Sequence, residues 1–285
     1  MKQFFNRLLP KSLRSDAATI PVVRLQGAIM SAGGQFRPTL SIASAAPLLD
    51  KAFADKQAPA VAIVVNSPGG SAVQSRLIFQ RIRSLAEEKN KKVLVFVEDV
   101  AASGGYMIAV AGDEIFVDPS SIVGSIGVVS ATFGFQDLIK KIGVERRVYT
   151  AGKNKVTLDP FQPERKADVE RLKALQLQIH DVFIDLVKDR RGNRLADDPD
   201  LFTGAFWVGE KARELGLVDD IGDIRSVLKT RFGPKTRMRL ITQPRGIFGR
   251  RLGIFGSSAS EIAAGAANGL ADTVEERALW SRFGL

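Results

Sequence analysis

The chain has 285 residues, 45% of them hydrophobic and 25% charged, the profile of a globular protein long enough to bury a substantial core. It contains no cysteine and a single histidine, His180, which excludes disulfides, a thiolate nucleophile and any metal centre built on cysteine or on two imidazoles. The formal net charge of +10 belongs to the ends: Lys2, Arg7, Lys11 and Arg14 near the start, and a run of Lys and Arg over 229–251 without one acid.

The opening residues carry the charge of a signal peptide but not its apolar run, because Asn6, Arg7, Pro10 and Lys11 interrupt it. No stretch approaches the roughly 18 apolar residues of a spanning helix, so a cytoplasmic protein is expected. Residues 20–30 predict a strand, and 42–56 a helix with Leu48, Leu49 and Phe53 on one side. The continuous apolar run at 58–67 predicts a strand buried on both faces. Val73, Leu77, Ile78, Ile82 and Leu85 give 72–89 the spacing of an amphipathic helix.

A second buried strand follows at 91–99 and a short helix at 103–111. Short strands are expected at 114–117, 126–130 and 145–150, with a helix at 135–142 between them. Pro163 opens a long helix to Arg190, and 207–216 predicts a short one before GLVDDIG. This alternation argues for an α/β protein with parallel strands. Past residue 228 the pattern dissolves into the basic stretch and an Ala-rich, helical tail at 258–282. The division expected is a basic arm (1–18), a folded body (19–228) and a C-terminal extension (229–285).

Two stretches carry chemistry. NSPGGS (66–71) closes a buried strand with a proline and two glycines. Such a turn either serves as a plain strand-to-helix link or leaves N–H groups free to hold an oxyanion. In VEDVAASGGYM (97–107), Ser103 stands among small residues at a second strand-to-helix link. Those residues either let a helix pack tightly or leave room around a nucleophilic hydroxyl. The pattern is A-x-S-x-G, not the G-x-S-x-G of α/β-hydrolases.

A nucleophilic serine needs a base. His180 lies inside the long predicted helix, where a lone histidine is a packing or surface residue. A lysine serves if its pKa falls, and RRVYTAGKNKVTLDP (146–160) gathers Arg146, Arg147, Lys153 and Lys155. The bland alternative is a solvated basic loop. Ser226 and Lys229 form an S-x-x-K pair, but the S-D-N and K-T-G elements that accompany it in penicillin-recognising enzymes are absent.

Taken together the motifs resemble the signal peptide peptidase A family of serine proteases, in its short single-domain type. The matching elements, in order, are N-S-P-G-G (66–70), A-S-G-G-Y (102–106), G-S-I-G (124–127), a lysine shortly before a proline (Lys155, Pro160) and G-L-V-D-x-x-G (216–222). The resemblance implies a Clp-protease/crotonase-like spiral of mostly parallel β-strands with flanking helices, and a Ser–Lys dyad without metal or cofactor. Ser103 would be the nucleophile and Lys155 the general base, with Ser125 orienting the lysine. The N–H groups of Gly70 and Gly104 would form the oxyanion hole. Lys153 points the same way as Lys155 along an extended backbone, and the family position alone favours Lys155.

The function implied is a serine endopeptidase cleaving extended, largely apolar peptides such as signal-peptide remnants, working as a homo-oligomer. Two alternatives stand beside it: a crotonase-type acyl-CoA hydratase or isomerase, and a non-catalytic membrane-surface adaptor. The basic ends also hold Phe4, Phe5, Leu8, Leu9, Ile247, Phe248, Leu252, Ile254 and Phe255. That mixture predicts peripheral contact with an anionic membrane at its inner face, against a solvated tail or non-specific nucleic-acid binding; no specific nucleic-acid partner is expected.

Overall fold

The computed structural model describes residues 17–31, 39–242 and 276–285. Its centre is β2 (Ala60–Ser67), buried at every position. β1 (Thr19–Gln26) and β3 (Lys92–Ala102) flank it in parallel. Continuous apolar runs are what a strand covered on both faces requires, and alternate residues divide between two cores. Val61, Ile63, Val65, Val93 and Val95 face the larger one, while Ala60, Ala62, Val64, Leu94 and Phe96 face the smaller.

The larger core is closed by α1 (Ile42–Phe53), α2 (Ala72–Lys89) and α3 (Gly104–Ala109), with Phe183 and Val187 of α5 (Lys166–Arg191). α7 (Ile224–Phe232) covers the smaller core with Leu228, which is fully buried. Between α3 and α5 run β4 (Glu114–Val117), β5 (Ile122–Gly124) and α4 (Gln136–Lys141); β6 (Phe206–Val208), α6 (Gly209–Glu214) and β7 (Asp220–Ile221) follow α5. β8 (Arg237–Leu240) is the last strand described.

The sheet order is β6-β5-β3-β2-β1-β8, with β4 joined to both β3 and β7. Every described pairing is parallel except β5–β6. This is the α/β architecture expected, a mostly parallel sheet flanked by helices.

Several boundaries differ from expectation. The first strand stops at Gln26, and the long helix starts at Lys166. The strands expected at 126–130 and 145–150 are not strands, and the strand after β4 lies instead at 122–124. Residues 145–150 are exposed throughout, so no neighbouring strand is there to pair with their alternating pattern. Regular structure also continues past residue 228, since α7 runs to Phe232 and β8 pairs with β1. Arg239 of β8 reaches Asp55 at 2.8 Å, and Arg231 pairs with Glu114. Part of the basic stretch is therefore neutralised within the fold. The tail helix expected at 258–282 falls largely outside the described residues, which show a helical turn at 276–281.

Candidate active site

Ser103 sits at the corner between β3 and α3 with φ 52° and ψ −121°. A non-glycine residue with positive φ is held there only by well-determined surroundings, at a cost of about 1–3 kcal/mol. Its N–H donates to the Gly124 carbonyl at 2.8 Å, and its own carbonyl accepts from Met107 N–H. The corner is sharp, as in a nucleophile elbow, although the flanking residue is alanine.

The small residues allow tight packing, and Ser103 also borders a cavity. A Cβ on Gly105 would run into the Ser67 carbonyl, and one on Gly104 into the Ser75 hydroxyl. One on Gly69 would lie 2.8 Å from Ser103 Cβ and 2.9 Å from Gly104 N. The glycines let α3 press against the end of β2 and the start of α2, and this contact brings NSPGG against the serine. Tyr106 completes the anchoring. It is fully buried, and its hydroxyl donates to the Leu217 carbonyl at 2.7 Å. Burial pushes its pKa well above the tyrosine range, so it remains a donor. A-S-G-G-Y and G-L-V-D are thus two halves of one contact.

Ser103 opens onto a cavity of about 370 Å³, within the usual size of a ligand site. Gly70 and Gly104 line it, together with Ile29, Met107, Val128 and Phe183. Gly70 has φ 137°, and a Cβ there would overlap the Ile29 carbonyl. Among the described residues, neither the Gly70 nor the Gly104 N–H has a backbone acceptor.

The structure thus gathers Ser103, Gly70 and Gly104 on one cavity. Ser125 is buried, follows Gly124 directly and also has a φ of 52°, but it does not line the cavity. Lys155 does not line it either. It lies exposed in a turn closed by its own N–H on the Gly152 carbonyl at 3.1 Å, and Lys153 is exposed in the same turn. Both belong to an arm, residues 129–165, that is largely exposed and whose first residue, Val129, lines the Ser103 cavity. The arm exposes Val129, Phe133, Leu138, Ile142 and Tyr149, the last to 90%. It is braced by its own contacts, Arg146 to Asp159 at 3.0 Å and Phe135 against Phe161.

The role of Asn66 escaped the sequence reading. Asn66 donates to the Asp99 carboxylate at 2.6 Å, and its carbonyl oxygen accepts from Val100 N–H at 3.2 Å. These bonds span the point where the β2–β3 register shifts, between Val65 opposite Val97 and Ser67 opposite Ala101. The hint was the asparagine ending an otherwise apolar strand. His180, on α5, contacts the Ile126 carbonyl through Nε2 at 2.9 Å and does not line the Ser103 cavity. Among the described residues no cluster of His, Asp and Glu could hold a metal.

Several known proteins resemble this chain in sequence. The chain is 64% identical to a Brucella abortus protein called Na(+)/H(+) antiporter NhaA, over 98% of this chain and 39% of that protein. It is 33% identical to Protease 4 of Haemophilus influenzae, covering 73% of this chain and 34% of that one. It is 31% identical to the chloroplastic serine protease SPPA of Arabidopsis thaliana, covering 72% and 31% respectively. The chain therefore spans well under two thirds of the length of each of these relatives. Residues 86–231, from the end of α2 to α7, match the profile of peptidase family S49. The chain belongs to peptidase family S49.

Proposed function

We propose that the chain is a serine endopeptidase in which Ser103 attacks the peptide bond and Lys155 acts as the base. The observation that carries this reading is the strained Ser103 corner, opening onto a cavity beside two glycine N–H groups without backbone acceptors among the described residues. Ser103 Oγ bonds to the scissile carbonyl carbon while its proton passes to the Lys155 amine. The carbonyl oxygen takes up negative charge, which the Gly70 and Gly104 N–H groups stabilise. Collapse breaks the C–N bond, and the lysine returns the proton to the leaving amine. Water, deprotonated by the same lysine, then hydrolyses the ester and restores Ser103. Ser125 orients the amine. The apolar lining favours extended, largely apolar peptides, such as signal-peptide remnants.

Lys155 reaches the cavity, on this reading, when copies of the chain assemble. Its exposed turn and the apolar arm around it support a homo-oligomer in which one protomer's lysine completes its neighbour's site. The peptidase unit extends through β8, to about residue 242.

A crotonase-type reaction is less well supported, because no carboxylate lines the cavity among the described residues. The antiporter name belongs to relatives of which this chain spans 39%, and among the described residues no helix is long and apolar enough to cross a membrane. Hydrolysis of internally quenched apolar peptides, run beside turnover of acyl-CoA thioesters, decides between peptidase and crotonase. Peptide cleavage without thioester turnover is expected, and the reverse result overturns the reading.

Peripheral attachment at the inner face of an anionic membrane is part of the proposal. With Arg231 and Arg239 paired to Glu114 and Asp55, it rests on residues 1–14 and 245–255, including Phe4, Phe5, Ile247 and Phe248, which lie outside the described residues. In liposome flotation, binding should need anionic lipid, weaken with salt and disappear when both segments are removed. Protein that stays in solution at low salt contradicts it.

A further inference from the structure

The C-terminal residues 276–285 pack onto the strand end that carries the nucleophile. Phe283 is buried with Val100 and Ala102 of β3, and Trp280 and Ile122 pack against the same cluster. The Phe283 ring meets Phe206 of β6 edge-on, with centroids 5.2 Å apart. This anchor holds the residues before it beside Ser103, so that Leu279 of the helical turn and Arg282 just after it line the Ser103 cavity. Arg282 is exposed, and its guanidinium lies 5.9 Å from the Phe283 ring centroid.

Among the described lining residues Arg282 alone carries a charge; the others are apolar, glycine, proline or serine. A peptide entering such a cleft loses water from its polar groups. A neutral amide or hydroxyl oxygen gains a single, weaker hydrogen bond from the guanidinium, whereas a carboxylate gains a charge-assisted, often two-pronged one. We propose that residues 276–285 form a specificity wall of the peptidase cleft, where Arg282 selects peptides carrying a carboxylate near an apolar residue at the scissile bond. The inference rests on the peptidase reading and narrows its substrate class. The carboxylate can belong to a Glu or Asp side chain or to a peptide's own C-terminus, and Arg282 would recognise either.

The test uses matched peptides with one apolar core: an amidated peptide with Gln flanks, amidated peptides with Glu replacing Gln at each flank in turn, and a Gln-flanked peptide with a free C-terminal carboxylate. Their kcat/KM values are measured on the full chain, and their Kd values on the Ser103→Ala chain, which binds without cleaving. At least one carboxylate peptide should exceed its neutral partner by about tenfold in both measurements. Which peptide gains identifies the source of the carboxylate. Arg282→Gln should bring that ratio to about one, Arg282→Lys should restore part of it, and Phe283→Ala should lower it by releasing the wall. Cleavage with no carboxylate preference, or a preference that survives Arg282→Gln, overturns this inference and leaves the peptidase reading intact. A carboxylate preference in binding without any cleavage has the opposite meaning: the wall stands and the peptidase reading falls.

Discussion

Ser103 and Ser125 leave two adjacent parallel strands one residue beyond the paired Ala102 and Gly124, and both do so with a φ of 52°. Neighbouring strands thus make the same sharp departure side by side, and the Ser103 N–H on the Gly124 carbonyl ties the two corners together. A hydroxyl placed there can orient a base that reaches Ser103. Ser125→Ala should therefore lower kcat about a hundredfold with little change in KM, since small misplacements of a reacting group cost that much. The melting temperature should stay near the parent value. A variant with full kcat would remove Ser125 from the mechanism.

Asn66 should matter nearly as much, although it is not proposed to touch substrate. Its side chain bonds Asp99 and Val100 across the register shift that precedes the end of β3. Asn66→Ala leaves the buried Val100 N–H without its acceptor, at a cost of about 1–3 kcal/mol, and frees the strand end that aims Ser103. Denaturant unfolding and steady-state kinetics should show both losses. If stability falls while kcat/KM is unchanged, the bulge supports the fold and does not aim the nucleophile.

The sequence made the centre of this molecule legible and its edges much less so. β2 and β3 are long apolar runs, and α2 shows its period, because burial on two faces or one stripe leaves a pattern in any window of ten residues. β6, β7 and β8 are two to four residues long, too short for a period, and β8 is an edge strand carrying Arg237 and Arg239. The motif residues Ser103, Gly70 and Gly104 were legible because each sits where a strand turns into a helix. Asn66, Tyr106 and Phe283 act on partners distant in sequence, such as Leu217 for Tyr106, and no local pattern announces such a pair. The relation of Lys155 to Ser103 depends, in the account proposed, on a second copy of the chain.

That dependence can be measured. Lys155→Arg should be inactive despite its retained charge, because a guanidinium cannot give up its proton. Ser103→Ala and Lys155→Ala should each be inactive alone. Mixed in equal amounts and allowed to exchange subunits, they should recover about a quarter of parental activity, the share of sites in a closed ring where a chain retaining Ser103 meets a neighbour retaining Lys155. No recovery, under conditions where exchange is shown by mass, means that both groups come from one chain.

Acid should weaken the fold partly through Asp219. Burial opposes ionisation of its carboxyl, but hydrogen bonds from Arg191 and Ile115 N–H and the nearby Arg194 outweigh burial and hold its pKa below the usual range. A depressed carboxyl contributes fully above the unfolded value of about 3.9, and its contribution is lost as pH falls through the folded value. Asp219→Asn leaves Arg191, 2% exposed, without its charge partner, so a loss of roughly 3 kcal/mol is expected at pH 7. The gap to the parent should begin to narrow below about pH 4 and go on narrowing as pH falls. A gap that stays constant from pH 7 to 3 would show that the Asp219 charge does not hold Arg191 in place.

The most direct test is to treat the assembled protein with a fluorophosphonate, which bonds covalently to an activated serine hydroxyl, and to locate the label by peptide mass mapping. The account predicts stoichiometric labelling of Ser103, absent in Ser103→Ala and strongly slowed in Lys155→Ala, with both variants folded. Label on another serine, or labelling of Ser103 at the same rate without Lys155, would contradict it.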